Sequence, residues 1–214
     1  MATWIAHMRV AAHFMRLHPA LNNKEFLVGN IAPDGGTPNE DGRTFTPDKA
    51  VTHFHTSDTV RYDTRRFAAG YLQKRDARWP FYMGYYFHLL TDASFSRWYS
   101  QKRQEPLYAE GLARDPGLIW EIKRDWYGQD RLYLQSHPDF VFFTMFAKIE
   151  SFPNPYFDFY PPDAFTRHVR RITQFYLSAE EDPNRAFPYL SKEEMDWFVE
   201  DAIQKIKQHT ENTI

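Results

Sequence analysis

The stretch Tyr82-Met83-Gly84-Tyr85-Tyr86-Phe87-His88-Leu89-Leu90-Thr91-Asp92 decides how this chain is read. Aromatic and aliphatic residues surround two polar ones, and no breaker follows Pro80, which suits a first helical turn. The run therefore predicts a buried helix that fades near residues 99 to 102. His88 and Asp92 are four apart and share one face of that helix. An imidazole and a carboxylate on an otherwise apolar helix need a partner, and a divalent metal satisfies both. Of the nine histidines, only His88 has an acidic residue four positions later. Chance can supply one such pair, so the metal reading depends on the rest of the chain.

Composition narrows the classes. The 214 residues suffice for one substantial core or two small ones. A formal charge of -2 leaves no strong electrostatic footprint for nucleic acid or an anionic membrane. Aromatic residues make up 18% and concentrate between Trp79 and Tyr160, as core padding or as a binding cleft. With no cysteine, disulfides and thiolate metal sites are excluded. Met1-Ala2-Thr3-Trp4-Ile5-Ala6-His7 lacks the uninterrupted apolar core of a signal peptide, and no apolar run reaches membrane-spanning length. A cytoplasmic, soluble protein is expected.

Working outward, residues 3 to 17 place Trp4, Ile5, Met8, Ala12 and Met15 at helical spacing, with His7 projecting beside Trp4 and Met8. His13 and His18 are expected at the surface. Asp34 lies after Gly29-Asn30-Ile31-Ala32-Pro33, where Gly and Pro end regular structure and leave it on a loop. Residues 37 to 47 predict an irregular surface loop. In Thr52-His53-Phe54-His55-Thr56-Ser57-Asp58, two histidines at i, i+2 share a face only if the backbone is not helical. One of them is read as a ligand and the other as its neighbour.

Further helices are expected over 64 to 76, 116 to 134 with Asp115 as cap, 138 to 149, 163 to 177 with Asp163 as cap, and 191 to 209. Ser191-Lys192-Glu193-Glu194 fits a capping box for the last. Asp125 and Asp130 are read as solvent-facing. The proline-rich stretch 152 to 162 is a loop whose Tyr156, Phe157, Phe159 and Tyr160 either line a cleft mouth or cover the core. No useful strand pattern and no internal repeat occur, so the expected fold is all-α, one compact helical bundle over residues 1 to 214.

Four segments in this order carry a family resemblance: His7-Met8-Arg9-Val10-Ala11, Gly29 through Asp34, Thr52 through His55, and Gly84 through Asp92. Tyr82-Met83-Gly84 followed by His88-Leu89-Leu90-Thr91-Asp92 is the most specific of them. Over residues 3 to 100 the chain resembles the bacterial zinc-dependent phospholipase C fold, shared with single-strand-specific zinc nucleases. That resemblance implies a compact helical bundle with a trinuclear zinc site that hydrolyses phosphodiesters. It implies His7, His53 and His88 as metal ligands, Asp34 as ligand and catalytic base, and Asp92 as a catalytic carboxylate bridging two metals. Such a thiolate-free set suits zinc, iron or manganese.

The chain also departs from the family. Trp4 lies inside the chain, whereas secreted members use an amino-terminal Trp as a ligand; Arg97 and Trp98 stand near the place of a further His; and no His has a Glu four residues later. A one- or two-ion site is therefore expected, with Asp58, Asp125, Asp130, His55 or His137 as possible substitutes, or with Arg97 as a fixed positive charge for phosphate. The expected ligand is a small phosphate ester or a phospholipid-headgroup-like molecule. The alternatives are a metal-binding helical protein without turnover, a partner-binding module, and a purely structural bundle.

Overall fold

The computed structural model describes residues 1–41, 44–57 and 60–210. Its helices are α1 (Trp4–Leu17), α2 (Lys24–Gly29), α3 (Lys49–Thr52), α4 (Thr64–Tyr71), α5 (Trp79–Lys102), α6 (Pro106–Arg114), α7 (Ile119–Ser136), α8 (Val141–Thr144), α9 (Ala164–Leu177) and α10 (Lys192–Thr210). A two-residue antiparallel ladder pairs β1 (Thr37–Pro38) with β2 (Phe45–Thr46), in the register Thr37 opposite Thr46. The all-α expectation therefore holds.

Helix α5 is the central member. Its residues 81 to 92 are all buried, so it has no solvent face along that span. Its neighbours approach closely because two glycines meet there. A Cβ on Gly84 would lie 2.1 Å from the Phe26 carbonyl oxygen, and one on Gly29 would lie 2.1 Å from that of Phe81. No side chain fits between α2 and α5 at this crossing. Phe14 of α1 packs edge-on to Phe87, with ring centroids 4.6 Å apart, and Phe198 of α10 packs the same way on Phe95 at 5.2 Å.

Local signals set several helix ends. Asn23 accepts from the Phe26 N–H at 2.8 Å and starts α2. At the start of α10, Ser191 N–H donates to Glu194 at 2.9 Å while Glu194 N–H donates to the Ser191 hydroxyl at 3.2 Å, the reciprocal capping box read from the sequence. Asp163 precedes α9 as expected but makes no capping bond with its side chain.

Other boundaries differ from expectation. The helix expected over 64 to 76 stops at Tyr71, just past Gly70; Leu72 is still buried, and the exposed polar run Gln73 to Asp76 follows. The segment 138 to 149 breaks into α8 and a short 3-10 turn, Phe146–Lys148, because Val141, Phe142, Phe143 and Thr144 are β-branched or aromatic and Met145 leaves the helical region (φ -131°, ψ -57°). Helix α6 was not expected; Tyr108 and Leu112 stand one turn apart in it, and only Tyr108 is buried. Asp125 and Asp130 are buried rather than solvent-facing. Asp125 binds Arg185 at 2.6 Å and the Tyr189 N–H at 2.8 Å; Asp130 accepts from Thr3 at 2.8 Å and Tyr176 at 2.5 Å.

Candidate metal centre

Four separate segments bring His7, Asp34, His53, His88 and Asp92 together. All five are buried, Asp34 being the most exposed at 7%. His7 comes from α1 and His88 with Asp92 from α5, one turn apart as the spacing predicts. His53 follows the last residue of α3, and the Tyr85 hydroxyl donates to the Thr52 carbonyl, fixing this short helix against α5. Phe54 then takes a left-handed conformation (φ 56°), which turns the chain away and buries its own ring against Phe67, Tyr71 and Tyr85. Asp34 ends a 3-10 turn, Ala32–Asp34.

Among the described residues, two groups of three have the spacing to hold a cation: His7, His88 and Asp92, and Asp34, His53 and His88. Within each group the candidate ligand atoms lie within 4.8 Å of one another. Asp92 faces both groups with different oxygens. Its Oδ1 is 3.3 Å from His7 Nε2, while its Oδ2 is 3.4 Å from His88 Nε2 and 3.5 Å from His53 Nε2.

Hydrogen bonding orients the two rings. His88 Nδ1 lies 2.9 Å from the Asn30 carbonyl, which only accepts, so Nδ1 carries a proton and Nε2 is the nitrogen turned inward. His53 Nδ1 lies 3.0 Å from the Thr52 hydroxyl and 3.2 Å from the Lys49 carbonyl, which likewise turns Nε2 inward. The two Nε2 atoms then meet at 3.4 Å, beside carboxylate oxygens. Ring nitrogens and carboxylate oxygens thus converge on one another, an arrangement that shared protons or a cation can satisfy. His7 Nδ1 and Nε2, Asp34 Oδ1 and Asp92 Oδ2 are all buried without a hydrogen bond. This donor set fits a thiolate-free divalent cation site.

The electrostatics agree. Burial and the nearby His88 push His7 down to about 4, so this imidazole is neutral and free to ligate at ordinary pH. Burial opposes a charge on His88, yet Asp92 and Asp34 hold it above 6.5. Burial also opposes ionisation of Asp34, but Lys49, His88 and His53 keep its carboxylate below the usual range. For Asp92, burial is overcome by the amino-terminal charge and the imidazoles around it.

A surrounding layer positions the Asp34 turn. Arg171 of α9 donates to the Asp34 carbonyl at 3.0 Å, to the Gly36 carbonyl at 3.2 Å and to His168 Nδ1 at 2.8 Å. His168 in turn donates from Nε2 to the Ile31 carbonyl at 3.0 Å, and burial together with Arg171 pushes it down to about 3. Tyr160 donates to the Ala32 and Pro33 carbonyls at 2.8 and 3.1 Å. The Trp4 indole reaches Asp34 Oδ2 at 3.1 Å. Sequence reading overlooked His168, Arg171 and Lys49. The one available signal was that His168 shares the helical face of Phe165 and Ile172.

Among the described residues, the substitutes considered for a further ligand do not join the cluster. His55 is half-buried beside Tyr62, 6.0 Å between ring centroids, and His137 is exposed. Asp58 lies outside the described residues. Arg97 is nine residues past His88, about half a turn around α5, and is exposed in a groove with Arg61, Lys205 and His209. The aromatic stretch 152 to 160 finishes the core: Phe152, Phe157 and Tyr160 are buried, and Tyr156 stacks on Phe81 at 3.6 Å. No helix among the described residues is long and apolar enough to cross a membrane. Comparison of the chain with protein-family models, with curated proteins and with solved structures finds no match to any of them.

Proposed function

We propose that this protein is a metal-dependent hydrolase of phosphate esters, built on a one- or two-ion centre held by His7, Asp34, His53, His88 and Asp92. The observation that carries the reading is the meeting of the His53 and His88 Nε2 atoms at 3.4 Å, both within 3.5 Å of Asp92 Oδ2. A bound divalent cation supplies Lewis acidity toward a phosphoryl oxygen and brings the ionisation of water toward neutral pH. His7, His53, His88 and Asp92 hold and orient the cation. Asp34, joined to the cluster from the least buried side, is the group placed to accept a proton. Zinc is the favoured ion, with iron and manganese as competitors. The ordered likeness of residues 3 to 100 to zinc-dependent phospholipases C supports the phosphate-ester class.

The near-complete burial of all five side chains favours a second reading, in which the metal stabilises the fold and nothing is turned over. One experiment separates the two. Protein purified without chelator is assayed for bound metal and for hydrolysis of phosphodiesters, phosphomonoesters and nucleotides, beside His88→Ala and Asp92→Ala. The hydrolase reading expects metal and activity in the parent and neither in the variants. Metal without activity selects the second reading, and full activity in both variants rejects the centre.

A further inference from the structure

Lys49 is a charged neighbour of the five cluster residues that remains in contact with solvent. Lys49 Nζ lies 3.6 Å from Asp34 Oδ1, and its side chain is 35% exposed where that of Asp34 is 5% exposed. Its position is set by the turn that sets His53: Lys49 opens α3, and its carbonyl accepts from the His53 N–H at 2.8 Å and faces His53 Nδ1 at 3.2 Å. The ammonium is steadied by the Phe45 ring, 4.6 Å to the centroid, and the Met1 sulfur at 3.2 Å.

The pairing with Asp34 is loose. A committed ammonium–carboxylate hydrogen bond runs at about 2.7–2.9 Å, and Asp34 Oδ1 is left without any hydrogen bond. That same oxygen belongs to the ligand group with His53 and His88, 3.7 Å from His53 Nε2. A cation taking up Asp34 Oδ1 deprives Lys49 of its counter-charge while leaving the ammonium fixed at the rim. A second cation stands nearby on α7: Lys123 is half-buried over Trp120, and its charge is disfavoured first by burial and then by Lys49.

From this we infer that Lys49 is an anion-binding residue of the metal centre, which exchanges Asp34 for an anionic oxygen of the ligand once the cation is bound. This deepens the proposed function and rests on it. It restricts the ligand to one with a free negative charge beside the scissile group, such as a phosphomonoester or an anionic phosphodiester, and it orders binding, metal before anion.

Inorganic phosphate is the probe, titrated calorimetrically into the full chain, metal-free or zinc-loaded and freed of excess zinc, for wild type, Lys49→Met and Lys49→Arg. Zinc stoichiometry is measured on each. Wild type is expected to bind phosphate only when zinc-loaded. Lys49→Met is expected to keep its zinc, with affinity equal to or above that of wild type, and to lose about ten- to a hundredfold in phosphate affinity, the range for removing one charged hydrogen bond. Lys49→Arg recovers part of it. Equal phosphate affinity in wild type and Lys49→Met, both zinc-loaded, overturns the role of Lys49 and leaves the metal centre standing. Failure of wild type to take up zinc overturns the centre itself, and zinc uptake without phosphate binding overturns the hydrolase reading together with this one.

Discussion

The imidazoles of His7 and His88 stack with centroids 3.9 Å apart and planes 4° from parallel, although one comes from α1 and the other from α5. Two imidazolium rings in that relation would repel, so the pair carries at most one positive charge. The structure divides the roles: burial and His88 keep His7 neutral, while the two carboxylates hold His88 up. The same carboxylates that hold a proton on His88 attract a cation, which would displace that proton on binding.

Metal should therefore be worth stability. At a free zinc concentration of about 100 times Kd, one site adds about 2.7 kcal/mol. For a domain of this size that raises Tm by about 5–10 °C. Thermal melting of chelator-treated protein, with and without added zinc, measures this, and coincident curves would remove metal from the account.

The α2–α5 crossing predicts a coupled defect. Gly84→Ala would put a Cβ 2.1 Å from the Phe26 carbonyl oxygen and 2.7 Å from the Asn30 nitrogen, forcing apart the helix that carries His88 and the carbonyl that orients it. Overpacking of this kind costs about 1–3 kcal/mol or more, and zinc affinity should fall with it. Gly70→Ala is the control: its Cβ would meet nothing within 4 Å, near the end of α4, and the change should stabilise by about 0.4–1 kcal/mol. Urea unfolding of both variants decides whether close approach or backbone freedom matters at each glycine.

Arg171→Met should loosen the Asp34 turn without unfolding the protein, since Arg171 touches the carbonyls of Asp34 and Gly36 and is only partly buried. Zinc affinity is expected to drop about 10–100-fold, the usual effect of removing a residue that orients a ligand. Competition against a chromophoric chelator reads this directly; unchanged affinity would mean that the turn needs no clamp.

Asp130 predicts a pH dependence. Burial pushes its carboxyl up to about 7 from the ordinary 3.8, against the hydrogen bonds from Tyr176 and Thr3. Because the folded state binds this proton more tightly than the unfolded chain, its contribution is fully present below about pH 4 and is lost as the pH rises toward 7. At about 1.4 kcal/mol per unit the loss is on the order of a few kcal/mol. Asp130→Asn removes this component, so its stability relative to wild type should climb between pH 4 and 8. Urea midpoints at a series of pH values test the slope, and parallel profiles would show that Asp130 keeps its charge at low cost.

Much of this protein could be read before any fold was known, and the division follows from range. Helix placement, the Ser191–Glu194 capping box and the one-turn pairing of His88 with Asp92 depend on neighbours a few residues away, and a 3.6-residue period records them in the chain itself. The five candidate ligands were legible too, but only as an ordered set of motifs. Their convergence was decided by packing. The Gly29–Gly84 contact that brings the Asn30 carbonyl to His88 leaves no periodic trace, and the bond between the Ala2 N–H and Asp92, 2.8 Å long, joins residues 90 apart. The fates of Asp125 and Asp130, taken for surface acids, were settled the same way, because Arg185, Thr3 and Tyr176 reach them only after the helices assemble. A buried polar group is defined by its partner, and the partner lies elsewhere in the sequence.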